Sequence, residues 1–252
     1  MILYFSGCGN SQHIALELAR LTDDVALPIL ELDTIQPVTL NNGLLGIVCP
    51  IYAWAVPRVV EERLRQLTFS AKPDYCYLAC TCGDSLGRAP ERFARFLRRK
   101  GLHLDAAFGF VMPETYINLK GFRLDTPDSE QRKIAGVQER LPQVAEQIQR
   151  RQSVVDVRRG PLPRVTTYLV NPIFYRWIIT DRKFHTTDSC IGCGQCVDVC
   201  PLHNISLADG RPQWHGDCTN CMACYHHCPV NAIHFAHATQ GKGQYYFGRN
   251  KA

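Results

Sequence analysis

Eight cysteines near the C-terminal end carry the most specific chemistry in this chain. Cys190-x2-Cys193-x2-Cys196-x3-Cys200 is followed by Pro201, and the pattern returns as Cys218-x2-Cys221-x2-Cys224-x3-Cys228 before Pro229. A tight turn of this spacing presents three thiolates to one side. A cubane [4Fe–4S] cluster needs four, and the last cysteine of each run reaches the other cluster. The spacing therefore assigns Cys190, Cys193, Cys196 and Cys228 to cluster I, and Cys218, Cys221, Cys224 and Cys200 to cluster II. Zinc needs four ligands per ion, usually as two compact pairs, and fits the repeated unit less well. Ile191, Val197, Ile205, Met222, Val230 and Ile233 are the apolar positions expected to form a small core around the clusters. His226 and His227 are expected at the cluster surface, because the cysteine set is already complete.

Three upstream loops form a second constellation. Ser6-Gly7-Cys8-Gly9-Asn10-Ser11 follows a short apolar run and opens a helical stripe. Backbone N–H groups at such a junction, aided by Ser6 and Ser11, suit an anionic phosphate. A plain glycine-rich turn is the competing reading. Cys49 to Pro57 places Tyr52 and Trp54 at the end of a second apolar run, where they either join the core or sandwich a flat ring. Thr81-Cys82-Gly83-Asp84, after a third run, is small and polar enough for its backbone to approach the edge of that ring. Together the loops describe phosphate, stacking and edge contacts for flavin mononucleotide. The segment 113–122, with Tyr116 and Asn118, is a candidate cover for the ring.

The elements that must position these loops alternate along residues 1–151. Apolar runs at 2–5, 44–49, 75–80 and 106–112 predict buried strands, with 25–30 a weaker fifth. Helical stripes follow at 14–21, 59–67, 90–100 and 129–151, although Pro142 argues against an unbroken last helix. Non-alternating strands separated by helices predict an α/β doubly wound parallel sheet, with ligands at the carboxyl ends of the strands. Residues 152–185 are expected to be a connector. Its apolar, aromatic stretch 165–179 reads as packing between two domains, with a docking surface for a partner or a membrane as the alternative. Residues 186–236 form the cluster domain, small and α+β, and 237–252 a basic tail.

Residues 1–151, with their Ser6-to-Ser11 loop, resemble a flavodoxin domain, and 186–236 resembles a bacterial-type two-cluster ferredoxin. The combination is similar to the flavodoxin–ferredoxin fusions called ferrodoxins. That resemblance implies non-covalent FMN held by Ser6, Cys8, Gly9, Asn10 and Ser11 at its phosphate, by Tyr52 and Trp54 at its ring, and by Thr81 to Asp84 at its edge. Cys8 departs from the family pattern: a thiol is a weak donor where a hydroxyl is usual, so phosphate binding would lean on backbone amides. The resemblance also implies electron relay between the two clusters and FMN, interconverting one- and two-electron transfer. Redox proteins are the expected donor and acceptor. A small-molecule reductase is the alternative, with Tyr52, His13 and Asp84 as weak proton-donor candidates; a redox or oxygen sensor ranks below it.

Bulk properties agree. The chain of 252 residues is 46% hydrophobic and 20% charged, with a formal charge of +5. Residues 186–236 hold one Arg against four Asp, so an acidic cluster module adjoins a basic body. No basic run with interleaved aromatics suggests nucleic acid. No stretch approaches the length of a membrane span, and Met1 to Phe5 lacks the features of an export signal, so the cytoplasm is the expected compartment. NAD(P)H is disfavoured because Gly7 to Gln12 lacks the third glycine of the dinucleotide fingerprint. Cys49, Cys76, Cys80 and Cys82 lie in apolar runs and read as small buried hydrophobes.

Overall fold

A computed structural model describes residues 1–249. The N-terminal part is a flavodoxin-like α/β layer structure. Six strands, Ile2–Tyr4 (β1), Ala26–Pro28 (β2), Leu44–Pro50 (β3), Tyr75–Cys82 (β4), Ala106–Val111 (β5) and Val155–Asp156 (β6), form one parallel sheet in the order β2-β1-β3-β4-β5-β6. The order in which the chain adds strands reverses at β1, with β2 on one side and β3 onward on the other, which opens a crevice at the carboxyl ends of β1 and β3. The central strands β3 and β4 are apolar on both faces because helices cover both.

Asn10–Thr22 (α1) and Pro127–Gln149 (α4) cover one face, where Ile14, Leu18, Val137, Leu141 and Val144 meet Tyr77, Phe108 and Phe110. Arg58–Gln66 (α2) and Ala89–Arg99 (α3) cover the other, where Val60, Leu64 and Phe93 meet Ile47, Leu78 and Cys80. Each large apolar side chain buried this fully contributes about 1.5–3 kcal/mol relative to exposure. Helix α4 runs straight through Pro142, against expectation. Pro142 and Gln138 lie on its exposed side, so the carbonyl that loses its donor can turn to water. The helix also starts earlier than the apolar stripe suggests, where the Thr126 hydroxyl accepts from Ser129 N–H and Pro127 occupies the first turn.

The sheet extends into the segment read as a connector. Ala107 and Phe108 pair with Val155 and Asp156, so β6 supplies its edge. The rest of that segment is a helix of three contiguous stretches, Pro163–Val165, Thr166–Val170 and Asn171–Trp177, together α5. The middle stretch is wound as a π-helix.

The C-terminal module is small and antiparallel. Phe184–Thr186 (β7) pairs with Ile233–Phe235 (β10), and Ile205–Ala208 (β8) with Arg211–Trp214 (β9). Two single-turn helices, Gln195–Asp198 (α6) and Ala223–His226 (α7), each start after a left-handed residue, Gly194 or Met222. Ile205, Met222 and Ile233 are buried as expected and Val197 is partly buried. Ile191 and Val230 are exposed instead, because they rim the module's outer end. The tail folds back over the N-terminal layer. Phe247 N–H donates to Cys8 O at 2.8 Å, and the Tyr245 hydroxyl donates to Asn10 Oδ1 at 2.9 Å.

Candidate functional site

A cavity of about 400 Å3 opens at the carboxyl ends of the strands. Its walls include Ser6, Gly7, Cys8, Asn10, Ser11, Tyr52, Trp54, Thr81, Cys82, Gly83 and Asp84. All of the flavin candidates therefore share one cavity except Gly9, which lies under Phe247. Gly9 has φ +87° and caps α1, a conformation that favours glycine. Its N–H donates to Ser6 Oγ at 3.1 Å. Ser11 and Thr81 share a hydroxyl–hydroxyl bond of 2.7 Å, which ties the first loop to the third. Asn10 is occupied at both ends of its amide, donating to Pro113 O and accepting from Tyr245. The Cys8 thiol, pushed well up by burial and then by Cys221, turns away and donates to Cys221 O at 3.4 Å.

The second loop is a tight reversal. Tyr52 and Ala55 exchange two backbone hydrogen bonds, with Ala53 at φ 44° and Trp54 at φ 61° between them. Two non-glycine residues in the left-handed region cost about 1–3 kcal/mol each and persist only when surroundings hold them. Helix α5 does the holding. Asn171 Nδ2 donates to Tyr52 O at 2.9 Å and Thr167 Oγ1 to Trp54 O at 3.0 Å. Trp54 Nε1 adds a bond to Ser85 Oγ. Asp84 sits at the outer edge of the third loop, paired with Arg158 at 2.8 Å.

Several cavity residues were not foreseen from the sequence. Glu114, beneath Gly83, accepts from Thr115 N–H and Tyr116 N–H at 3.0 and 2.7 Å. Burial raises its carboxyl pKa against those two donors. Tyr116, Leu119 and Phe122 line the cavity, as a cover would, whereas Asn118 is buried outside its walls. Val170, Ile173 and Phe174 of α5, with Ile178 just after it, complete the apolar side. Asn220, Cys221 and Met222 come from the C-terminal module. Asn220 is buried; its Oδ1 accepts from Thr180 N–H, and its Nδ2 has no partner among the described residues. A buried donor without a partner costs about 1–3 kcal/mol, which a ligand carbonyl would relieve. Only a signal in the cysteine motif itself, Asn220 standing beside Cys221, could have pointed to this wall.

The module's contact with the first loop is close. A Cβ added at Gly7 would lie 2.7 Å from Cys221 Cβ and 3.0 Å from Cys221 O. Cys221 packs against the sheet core near Tyr52, whose hydroxyl is pushed well up by burial and then by the Cys221 thiol. His226 is not at the surface, as the sequence suggested. It is buried, with Nδ1 accepting from Tyr245 N–H and Nε2 donating to Thr115 O, so it joins module, tail and cavity cover.

The eight cysteines fall into two groups that cross the repeat. Cys190, Cys193, Cys196 and Cys228 line one hollow together with Ile191, Leu207 and Val230. Cys218, Cys221 and Cys224 neighbour Cys200, whose charge acts on all three. As thiols, Cys218 and Cys221 are pushed up to about 12, by burial first, with Cys221 and Cys200 adding to the shift of Cys218 and Cys200 to that of Cys221. Bound metal must displace those protons. Backbone amides already point at sulfur: Asn204 N–H to Cys200 at 3.4 Å, Ala232 N–H to Cys228 at 3.2 Å and Asn220 N–H to Cys218 at 3.3 Å. Such donors stabilise the negative sulfur of a cluster and tune its potential. Among the described residues no three His, Cys, Asp or Glu side chains converge on a single-ion site. Four thiols around a larger volume suit a cubane better than zinc.

Comparison with known proteins decides the family of this module. The family described as 4Fe-4S dicluster domain matches residues 189–233. Through this module the chain belongs to the ferredoxins. An uncharacterized ferredoxin of Methanocaldococcus jannaschii is 41% identical over 61 residues, covering 22% of this chain and 73% of the relative. A ferredoxin of Alicyclobacillus acidocaldarius is 41% identical over 56 residues, 20% of this chain and 69% of that protein. Ferredoxin-2 of Desulfomicrobium norvegicum is 56% identical over 25 residues, 10% and 42% of the two chains. The ferredoxin module makes this an iron–sulfur protein of electron transfer. Among the described residues no helix is long and apolar enough to cross a membrane.

Proposed function

We propose that the chain relays electrons between two [4Fe–4S] clusters and a bound FMN. The observation that carries the reading is that Cys221, a ligand candidate, lines the same cavity as the phosphate, ring and edge loops. Iron–sulfur clusters supply one-electron exchange and a flavin holds one or two electrons, so a chain with both interconverts the two kinds of traffic. Cys190, Cys193, Cys196 and Cys228 would hold cluster I, and Cys218, Cys221, Cys224 and Cys200 cluster II. Ser6 to Ser11 would bind the FMN phosphate, Tyr52 and Trp54 the ring, and Thr81 to Asp84 its edge, with Asn220 Nδ2 as a further donor. The two cysteine groups differ in setting. Cys193 is exposed, whereas Cys221 is packed between sheet and module. The first group thus faces a redox partner protein and the second faces the cavity.

A small-molecule reductase remains the second reading, and Glu114 favours it. A buried carboxyl with a raised pKa, beside an apolar wall of Leu119, Phe122 and Phe174, could hold a proton at the cavity for a substrate.

Anaerobic purification, with iron, sulfide and flavin analysis, tests the relay. About eight irons and one FMN are expected, and flavin reduction by a low-potential donor should fail in Cys221→Ser. Full clusters with no flavin at any FMN concentration would sink the relay. Turnover of an added acceptor at enzymatic rates, abolished by Glu114→Gln, would favour the reductase.

A further inference from the structure

Helix α5 has its polarity reversed. Its inward face carries Thr167 and Asn171, both fully buried and hydrogen-bonded to the 52–55 turn. Asn171 also accepts from the Arg92 guanidinium. Its outward face carries Val165, Leu169 and Trp177, four and eight residues apart on one side of the helix, with Leu162 just ahead of the first turn and Ile173 half-exposed at the rim shared with the cavity. Leu162, Leu169 and Trp177 are 71%, 60% and 68% exposed. A helix that spends its polar groups on the core and turns an apolar row outward leaves a surface that water alone covers poorly.

The charges around this row are one-sided. From residue 157 to 180 the chain has Arg158, Arg159, Arg164 and Arg176 and no acid. Arg158 and Arg159 are paired with Asp84 and Glu91, whereas Arg164 and Arg176 have no acidic partner among the described residues. Arg176 lies over the Trp177 ring and Arg95 over Tyr168. An open hollow of about 580 Å3 at the start of the helix is lined by Arg88, Arg159 and Arg164 against the single acid Glu91. Leu162 and Val165 form its apolar rim.

We propose that the outward face of α5 seats the protein on an anionic lipid surface, with the apolar row in the acyl boundary and the arginines at the headgroups. An apolar row with Trp, cations beside it and no acid between is the composition of an interfacial helix. Face-to-face pairing of two copies would bring Arg164 and Arg176 of both together, which disfavours self-association through this row. Because the inner side of α5 walls the cavity, the seat holds the cavity near the lipid whatever fills it.

The test is co-flotation of the full, anaerobically loaded chain with phosphatidylcholine vesicles, with or without phosphatidylglycerol. Binding should require phosphatidylglycerol and weaken with salt. Leu169→Ser with Trp177→Ser should lower the partition by about tenfold or more. Arg164→Gln with Arg176→Gln should remove the preference for the anionic lipid. Ile35→Ser, at an exposed apolar residue outside α5 and both cofactor sites, should change nothing. Visible absorption on the same samples separates loss of the seat from loss of cofactors. Absence of binding to either vesicle, or equal binding by the variants, would overturn the proposal. So would a lipid-free dimer that the same variants dissociate, which would make the row a contact between copies.

Discussion

Replacing Gly7 with alanine adds one methyl group where the fold has no room for it. The new Cβ would stand 2.7 Å from Cys221 Cβ, 3.0 Å from its carbonyl oxygen and 3.2 Å from its sulfur. Carbon atoms rest at about 3.5–4.0 Å, so the two segments must separate by roughly 1 Å. Neither side yields easily. Gly7 is held between β1 and Gly9, and Cys221 is the last residue before the left-handed Met222 that starts α7. Gly7 has no positive φ, so the penalty comes from the contact and not from the backbone. Overpacking of this kind costs about 1–3 kcal/mol. In a domain of this size that lowers Tm by about 2–4 °C for each kcal/mol. Under the proposed relay the substitution should also slow transfer, because the displaced segment is the wall between module and cavity. Anaerobic thermal unfolding, beside the rate of flavin reduction through the module, measures both. Gly136→Ala in α4 is the matched control: nothing lies within 4 Å of its added Cβ, and it should stabilise by about 0.5–1 kcal/mol. If Gly7→Ala leaves Tm and reduction rate unchanged while Gly136→Ala behaves as stated, the close approach of module and loop is wrong.

Three further outcomes are expected. Cys200→Ser and Cys228→Ser should each remove about four of eight irons, and the Cys200 variant should perturb flavin reduction more, since Cys200 neighbours Cys221; iron analysis and reduction kinetics check this. Asn171→Ala leaves Tyr52 O and the Arg92 guanidinium without their partner and should cost about 1–3 kcal/mol, with weaker FMN binding in flavin titration because the 52–55 turn loosens. Burial raises the Glu114 pKa, so the folded protein holds that proton more tightly than the unfolded chain, and stability falls as pH rises from about 4.5 through the raised folded value. Glu114→Gln should therefore raise Tm more at pH 7 than at pH 4; an equal shift at both would show that the carboxyl is not held neutral by the fold.

Two things were legible in the residues alone, for the same physical reason. The clustering of each run of three cysteines follows from their spacing of three, because a turn of that length aims successive thiols at one point. The doubly wound sheet follows from apolar runs that do not alternate, because only strands covered on both faces bury every side chain. Both are local signals, written in neighbouring positions. Tertiary structure alone decided what depends on distant segments meeting. Cys221 reaches the cavity because the module folds against Gly7, 214 positions earlier. Asn220 becomes a cavity residue only through that closure, Glu114 because the segment after β5 folds under Gly83, and the tail joins them because Phe247 and Tyr245 find Cys8 and Asn10. The apolar row of α5 gave a helical period but not a direction. Thr167 and Asn171 set the direction, because the strained 52–55 turn needs their hydrogen bonds more than the core needs another leucine.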